Sequence, residues 1–482
     1  MTQILQRLPG RAVRSIRTAM IWSSLFFAVL AQAAESVKVY PAPAGEPLST
    51  LFSVTVADQP SPVYVAAVGS LTGPKLQEEL TGRASFTSFD MANPIAVSVT
   101  YAKPIQQVKI LPARLGITPS ISGNKVIFTI SKPGQLTLEV NGDWNNSLHL
   151  FANPFETDVP DPHDPKVIYF GPGIHQVQNI EVTSGKTVYI AGGAVVYARW
   201  TPGQHKNSVF KFSGSNITVR GRGIIDGSTM PKEYNGEKVG THLLLGQGSG
   251  LQVEGITLRD SSSWSLRINE SDNVLITNVK VFGWRENSDG TDIDNSRNVV
   301  VSDSFYRTYD DLVVVKTSRV GGGESSNITV KGCVLWNEKA HALTLGTELK
   351  EKVNGVLFTD CDIIHDKGHD ALLATLDDHQ GGVKNVTFKD LRVEESMRLI
   401  FLAVRETPKG RDDDRGYIDT VTFQNITAPV PSRAGPNIEL AGFGPGNALN
   451  SVIFDNVTIG GVRLQSGDVH ANSFVGQITI TP

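Results

Sequence analysis

From about Val167 onward the chain repeats itself, and this repeat constrains the fold more than any other feature of the sequence. Anchored on the residue before each short strand, it passes through Asn216, Gly250, Asn273, Asn298, Asn327, Gly355, Asn385, Thr420 and Ser451, at intervals of 23 to 35 residues. One and three residues past each anchor stand two mostly aliphatic or aromatic side chains, as in Val299/Val301, Ile328/Val330, Val356/Phe358 and Val386/Phe388. Alternation of period two puts each pair on one face of a strand. Six residues past the anchors comes a second column of small to medium side chains: Ile256, Val279, Ser304, Cys333, Cys361, Leu391, Ile426 and Val457. Columns that keep such a register require coils stacked around a shared core, which is a parallel β-helix. A TIM barrel would need amphipathic helices between the strands, and the intervening segments are too rich in Gly, Asn and Ser.

The expected fold is therefore all-β, a right-handed parallel β-helix over residues 167–482. Residues 34–152 hold short alternating runs, among them Ile105–Ile110, Lys125–Ile130 and Gln135–Val140, and read as a small β-sandwich. Residues 153–166 contain four prolines and read as a linker, since proline cannot continue a sheet. Residues 1–33 carry Arg7, Arg11, Arg14 and Arg17, then an apolar stretch from Ala19 to Leu30, then Ala31-Gln32-Ala33. That is the pattern of a secretory signal peptide and predicts a secreted or periplasmic protein. The apolar stretch is below the ~20 residues needed to span a bilayer, which disfavours a permanent anchor.

Without those four arginines the 44 basic side chains no longer nearly balance the 48 acidic ones, and the net charge is about −8. No basic block remains, so nucleic acid is not expected as a partner. Two cysteines, Cys333 and Cys361, exclude a disulfide scaffold or a zinc ribbon. They fall in the inward column on adjacent coils, where a disulfide is geometrically possible and two stacked thiols are the plainer alternative.

A further strand in each coil ends at Ile268, Ile293, Val315, Leu345, Leu373 and Leu402, and counting back four gives Trp264, Asp289, Asp311, His341, His369 and Arg398. Stacking makes these one column, with Asp310 just before Asp311. A polar residue before a strand is usually a turn residue. Two adjacent carboxylates, however, repel each other and gain nothing unless a cation or a reaction uses them. Glycoside cleavage needs one protonated carboxyl at the leaving oxygen and one ionised carboxylate at the water.

The segment Asn287-Ser-Asp-Gly-Thr-Asp-Ile293 resembles the Asn-Thr-Asp-Gly-x-Asp-Ile motif of glycoside hydrolase family 28, the polygalacturonases, and Asp310-Asp-Leu-Val-Val-Val-Lys316 resembles their Asp-Asp-Cys-Ile-Ala-Ile-Lys. The family's Gly-His-Gly is matched only by its histidine, in Ala340-His-Ala342. The resemblance implies an inverting polysaccharide hydrolase with Asp289 as general acid, Asp310 and Asp311 activating water, and His341 supporting the site. Where polygalacturonases carry Arg-x-Lys to grip a uronate carboxylate, this chain reads Asp370-Ala-Leu-Leu-Ala-Thr375. The missing cations and the leading sandwich are similar to the family 49 dextranases and isopullulanases, which implies a neutral or weakly charged glycan.

Trp264, Lys316, His341 and His369 are the expected substrate contacts. For Lys316 the alternative is a charge balancing the aspartates, and for His369 a plain turn residue. Arg398 and Arg405 could replace the missing cation. The loop from Arg405 to Arg415 reads as solvated surface, although its three consecutive aspartates could hold Ca²⁺. The only partner expected is a polysaccharide or oligosaccharide substrate, with no cofactor and no metal. Two other classes share the fold: a lyase, disfavoured by the lack of a basic cluster beside the carboxylates, and a non-catalytic glycan binder, which has no use for paired acids.

Overall fold

The computed structural model describes residues 36–69, 82–202, 208–231, 233–367, 373–377, 381–405, 415–430 and 435–482. The expected signal peptide, His369 and residues 406–414 of the charged loop lie outside the described residues.

The first strands form two facing sheets, one of six strands and one of five. They share a core of Phe52, Val97, Val99, Phe128, Leu138 and Leu150. The alternating runs fall on strands Val108–Leu111, Lys125–Ile130 and Gly134–Val140, the middle one with every second residue buried. No strand lies between Asn153 and Val167.

From Val167 onward thirty-two strands among the described residues join into one sheet wound as a right-handed parallel β-helix. A typical coil has three faces. Strand Arg297–Ser302 lies on the first, Phe305–Thr308 on the second and Val313–Thr317 on the third. Each pairs in parallel with its counterpart on the next coil. On the first face the expected register holds across coils, with Val274, Val299, Ile328, Val356, Val386, Val421 and Val452 paired in succession.

The anchors have a backbone role that explains their chemistry. Asn273, Asn298, Asn327, Gly355 and Asn385 sit at positive φ, and five residues on Asn278, Asp303, Gly332, Asp360 and Asp390 do the same. Asn and Asp tolerate the left-handed region better than other side chains, so each first-face strand is bracketed by two bends. The outer amides also bond between coils: Asn327 Nδ2 donates to Asn298 Oδ1, and Asn298 Nδ2 to Asp272 Oδ1. Inside, Phe358, Phe388, Phe423 and Phe454 form a stack with centroids 4.9 to 5.4 Å apart.

Cys333 and Cys361 are free thiols, both buried, with Cys361 one coil above Cys333. The second face is covered by the sandwich: Phe86 and Phe151 pack on Phe282 and Phe305, and Arg307 donates to Ser147 Oγ at 2.8 Å while its guanidinium lies 3.7 Å from the Trp336 ring centroid.

One expected register is corrected. On the third face Leu345 pairs with Thr375, not with Leu373, and Thr375 pairs with Leu402. The expected alignment of Leu373 with Leu345 is therefore two residues out. The first-face register is intact on either side, and one of the two extra residues is Ile364 on the second face, where Leu335 pairs with Ile363 but Trp336 with His365.

Candidate active site

The corner between the second and third faces carries the site. Its turns stack through backbone bonds: Ser265 N–H donates to Asp289 O, Gly290 N–H to Asp311 O and Leu312 N–H to His341 O, at 2.8 to 2.9 Å. Trp264, Asp289, Asp311 and His341 are thereby held on four successive coils. Gly290 is required by this stacking, because a Cβ there would meet Leu312 O at 2.3 Å and the Tyr306 ring at 2.6 Å.

The stacking brings Asp289, Asp310 and Asp311 together, with carboxylate oxygens within 4.8 Å of one another. This spacing would also suit a cation, but Lys316 and His341 already flank two of the three. Lys316 Nζ lies 3.1 Å from Asp289 Oδ2, and His341 Nδ1 lies 2.7 Å from Asp311 Oδ1. Asp310 instead accepts two backbone bonds, from Asn287 N–H at 3.2 Å and Asp311 N–H at 3.0 Å. It is also the most exposed of the three; Asp289 is 2% and Asp311 8% exposed.

Burial dominates the protonation of the trio. It pushes the Asp289 carboxyl well above the usual carboxylate range against the pull of Lys316, with Asp292 adding to the rise. Burial and then the charge of Asp311 push Asp310 up as well, only partly offset by Lys316 and the two backbone donors. For His341 burial pulls downward, but Asp311 and Asp310 outweigh it and hold the imidazole above its ordinary value.

Lys316 is enclosed rather than presented to a ligand. It is 4% exposed, lies 2.8 Å from Asp292 Oδ1 and 3.8 Å from Glu348 Oε2, and sits 3.8 Å from the Trp264 ring centroid. Burial opposes its charge, yet Asp289, Asp292 and Glu348 together keep it firmly protonated. The expectation of a substrate contact gives way to charge balance, because two buried carboxylates share this one ammonium. Trp264 is half-buried, its ring also 4.9 Å from the Arg267 guanidinium. Arg398 is an ion-pair partner of Glu439 and stacks on Phe401 at 4.3 Å, with Arg405 5.7 Å from the same ring.

Three participants were not singled out from the sequence. Asp292 lies fully buried on the third face, pushed up to about 7 by burial despite Lys316. Glu348 lies in the irregular stretch between the Val315–Leu345 and Thr317–Leu349 pairs, and His242, pushed down to about 4 by burial and then by Arg267, stacks near Trp264 at 5.8 Å. Asp292 was legible in principle: it alternates with inward Ile293, so it faces outward beside Asp294, whose partner in the next coil is Lys316. Nothing in the sequence points to Glu348 or His242.

Residues 170–473 match the family described as Glycosyl hydrolases family 28. Among curated relatives, a probable endopolygalacturonase I of Aspergillus terreus is 21% identical over 332 residues, covering 60% of this chain and 82% of the relative. An isopullulanase of Aspergillus niger is 23% identical over 380 residues, covering 66% and 65%. Among solved structures, Dex49A from Penicillium minioluteum superposes with a TM-score of 0.66 at 15% identity, over 92% of this chain and 96% of the other. An exopolygalacturonase from Thermotoga maritima reaches a TM-score of 0.54 at 16% identity, over 65% and 84%.

Proposed function

Because the chain belongs to glycosyl hydrolases family 28, and so is a glycoside hydrolase acting on polysaccharide, we propose that it is a secreted enzyme that inverts at a neutral glycan, with Asp310 as proton donor and Asp289 and Asp311 as the water's acceptors. The observation that carries this division is that Lys316 stands against Asp289 and the His341 imidazole, held above its ordinary value by the aspartates, stands against Asp311, whereas Asp310 accepts from backbone N–H groups. A carboxylate beside a cation is favoured in its ionised form, which a base needs; a buried carboxyl without one keeps its proton, which an acid needs.

This moves the acid role from Asp289, where the family resemblance put it. The upward push on Asp289 argues for the earlier assignment. Against it stands the enclosure of Asp289, which is 2% exposed with the Lys316 ammonium 3.1 Å from its Oδ2. A glycosidic oxygen can reach half-buried Asp310 more readily.

The spacing of the trio alone does not argue for inversion, since 4.8 Å falls below even the ~5–5.5 Å of retaining pairs. Two oxygens this close can nonetheless share one water hydrogen-bonded to each at about 2.8 Å. With both acceptors on one water, no covalent sugar intermediate is required.

Preference for a neutral glycan is supported by strand Leu373–Asp377, which carries no basic residue where polygalacturonases place Arg-x-Lys. The enclosure of Lys316 and the pairing of Arg398 with Glu439 point the same way. Dextran and pullulan should be cleaved faster than polygalacturonate in a reducing-sugar assay; cleavage of polygalacturonate alone would return the chain to the polygalacturonase reading that its relatives' names favour.

The roles separate by leaving group. Asp310→Asn should lower polysaccharide hydrolysis roughly 10²- to 10⁴-fold while keeping activity on an aryl glycoside whose phenol departs without a proton. Asp289→Asn and Asp311→Asn should lose both substrates. Rescue of Asp289→Asn by the aryl glycoside, with none for Asp310→Asn, would hand the acid role back to Asp289.

A further inference from the structure

A cavity of about 580 Å³ opens between the sandwich and the helix, away from the carboxylate trio. Its volume falls in the range of small-ligand sites, roughly 300–1,000 Å³. One wall is the sandwich, with Glu46, Ala67 and Arg83; the other climbs the helix corner through Asp226, Arg259, Asp260 and Trp284. Asp226, Arg259 and Phe282 pair in successive coils, so the helix wall rises coil by coil toward the catalytic turn. Trp284 lies on that turn, five residues before Asp289, within about 18 Å of extended chain. The cavity and the trio thus share one corner of the helix and one loop.

The lining is polar but offers no surplus positive charge. Arg259 is held between Glu46, at 2.8 Å, and Asp226. Tyr197 OH donates to the other Glu46 oxygen at 2.7 Å, and the Trp284 indole N–H donates to Asp260. Three carboxylates and two guanidiniums face the space, with Arg83 exposed at its rim. An indole beside fixed acceptors and donors suits a hydroxyl-rich ring, which offers apolar C–H faces and hydroxyl edges. A polyanion would meet an acidic excess.

We propose that this cavity is a second glycan-binding site, which holds a neutral segment of the same polysaccharide whose bond is cleaved at Asp289, Asp310 and Asp311. The inference rests on the hydrolase reading of the trio and extends it: chain length as well as sugar type selects the substrate, because only a long chain occupies both places.

Two substitutions on the sandwich wall test this without touching the catalytic turn. Ala67→Trp fills the cavity, and Arg83→Ala removes an exposed donor at the rim with little risk to folding. For gluco-oligosaccharides of graded length, the ratio of kcat/KM on long to short chains should fall about ten-fold in Ala67→Trp and about three-fold in Arg83→Ala. Thermal melts establish that each variant is folded, and Arg83→Ala decides the matter if Ala67→Trp is not. Calorimetric titration of wild type and variants with the same oligosaccharides gives a readout independent of turnover. Binding of long chains that weakens in the variants supports the site even if no tested glucan is hydrolysed, an outcome that would count against the hydrolase reading alone. An unchanged length ratio together with unchanged binding overturns the proposal.

Discussion

The first and third faces of the helix are built from the same coils but solve different problems. On the first face most coils repeat one solution: an aliphatic or aromatic pair inward and a left-handed Asn, Asp or Gly at the bends, with Thr420 in that place on one coil. On the third face the inward residues Ile268, Ile293, Val315 and Leu345 remain in register, while the outer side carries Asp292, Asp294 and Lys316, all buried and all ionisable. A repeat maintains structure wherever every rung does the same thing. It acquires chemistry where successive rungs differ, because stacking then places unlike groups about 4.8 Å apart.

The contrast can be broken most forcefully at the trio. Any of the three Asp→Asn changes should remove most polysaccharide hydrolysis, on the scale of 10² to 10⁴, and leave the melting transition nearly unmoved; loss of folding in all three would mean that the third face is structural like the first.

Lys316→Met comes next. It strands Asp289 and Asp292 without their shared cation, a change costing about 3–5 kcal/mol when one partner of a buried pair is removed. The ammonium also holds the Asp289 and Asp310 carboxyls down against burial, so without it both rise further. The acid then keeps its proton to higher pH, and the alkaline limb of kcat/KM should move upward in whatever activity survives. An alkaline limb that stays in place would show that Lys316 does not govern the protonation of the trio.

Phe388→Ala on the opposite side tests the structural face. The ring is fully buried between Phe358 and Phe423, and its loss should cost about 3–5 kcal/mol with turnover per folded molecule unaltered. Equal damage to specific activity would mean that the two faces are coupled.

Asn327→Ala is the mildest probe. It forfeits an exposed amide bond to Asn298 and places a Cβ without a polar end at φ 52°, for about 1–2 kcal/mol. A chemical denaturation curve indistinguishable from wild type would remove the bends from the account of what holds the register.

Much of the helix was legible because its signals are local. The pairing of Val299 with Ile328 and of Val356 with Val386 follows from counting past Asn298, Asn327, Gly355 and Asn385, each of which turns the chain by its own φ. The same counting placed Trp264, Asp289, Asp311 and His341 in file, and it misplaced Leu373 by two residues, because the coil above Leu345 carries an inserted residue at Ile364 that no punctuation in the sequence marks.

By itself, then, the sequence determined the coil, its inward columns and which carboxylates stand together, since period-two alternation and left-handed Asn are properties of a few adjacent residues. Only the tertiary structure decided which charge meets which. Lys316 reaches Asp289 and Asp292 on the coil below and Glu348 on the coil above, His341 bonds Asp311 across a coil, and Glu46 of the sandwich meets Arg259 of the helix. Those contacts depend on side-chain reach and on the docking of two domains. Proton placement depends on them in turn, because in a buried site desolvation and the nearest opposite charge outweigh the intrinsic acidity of the residue.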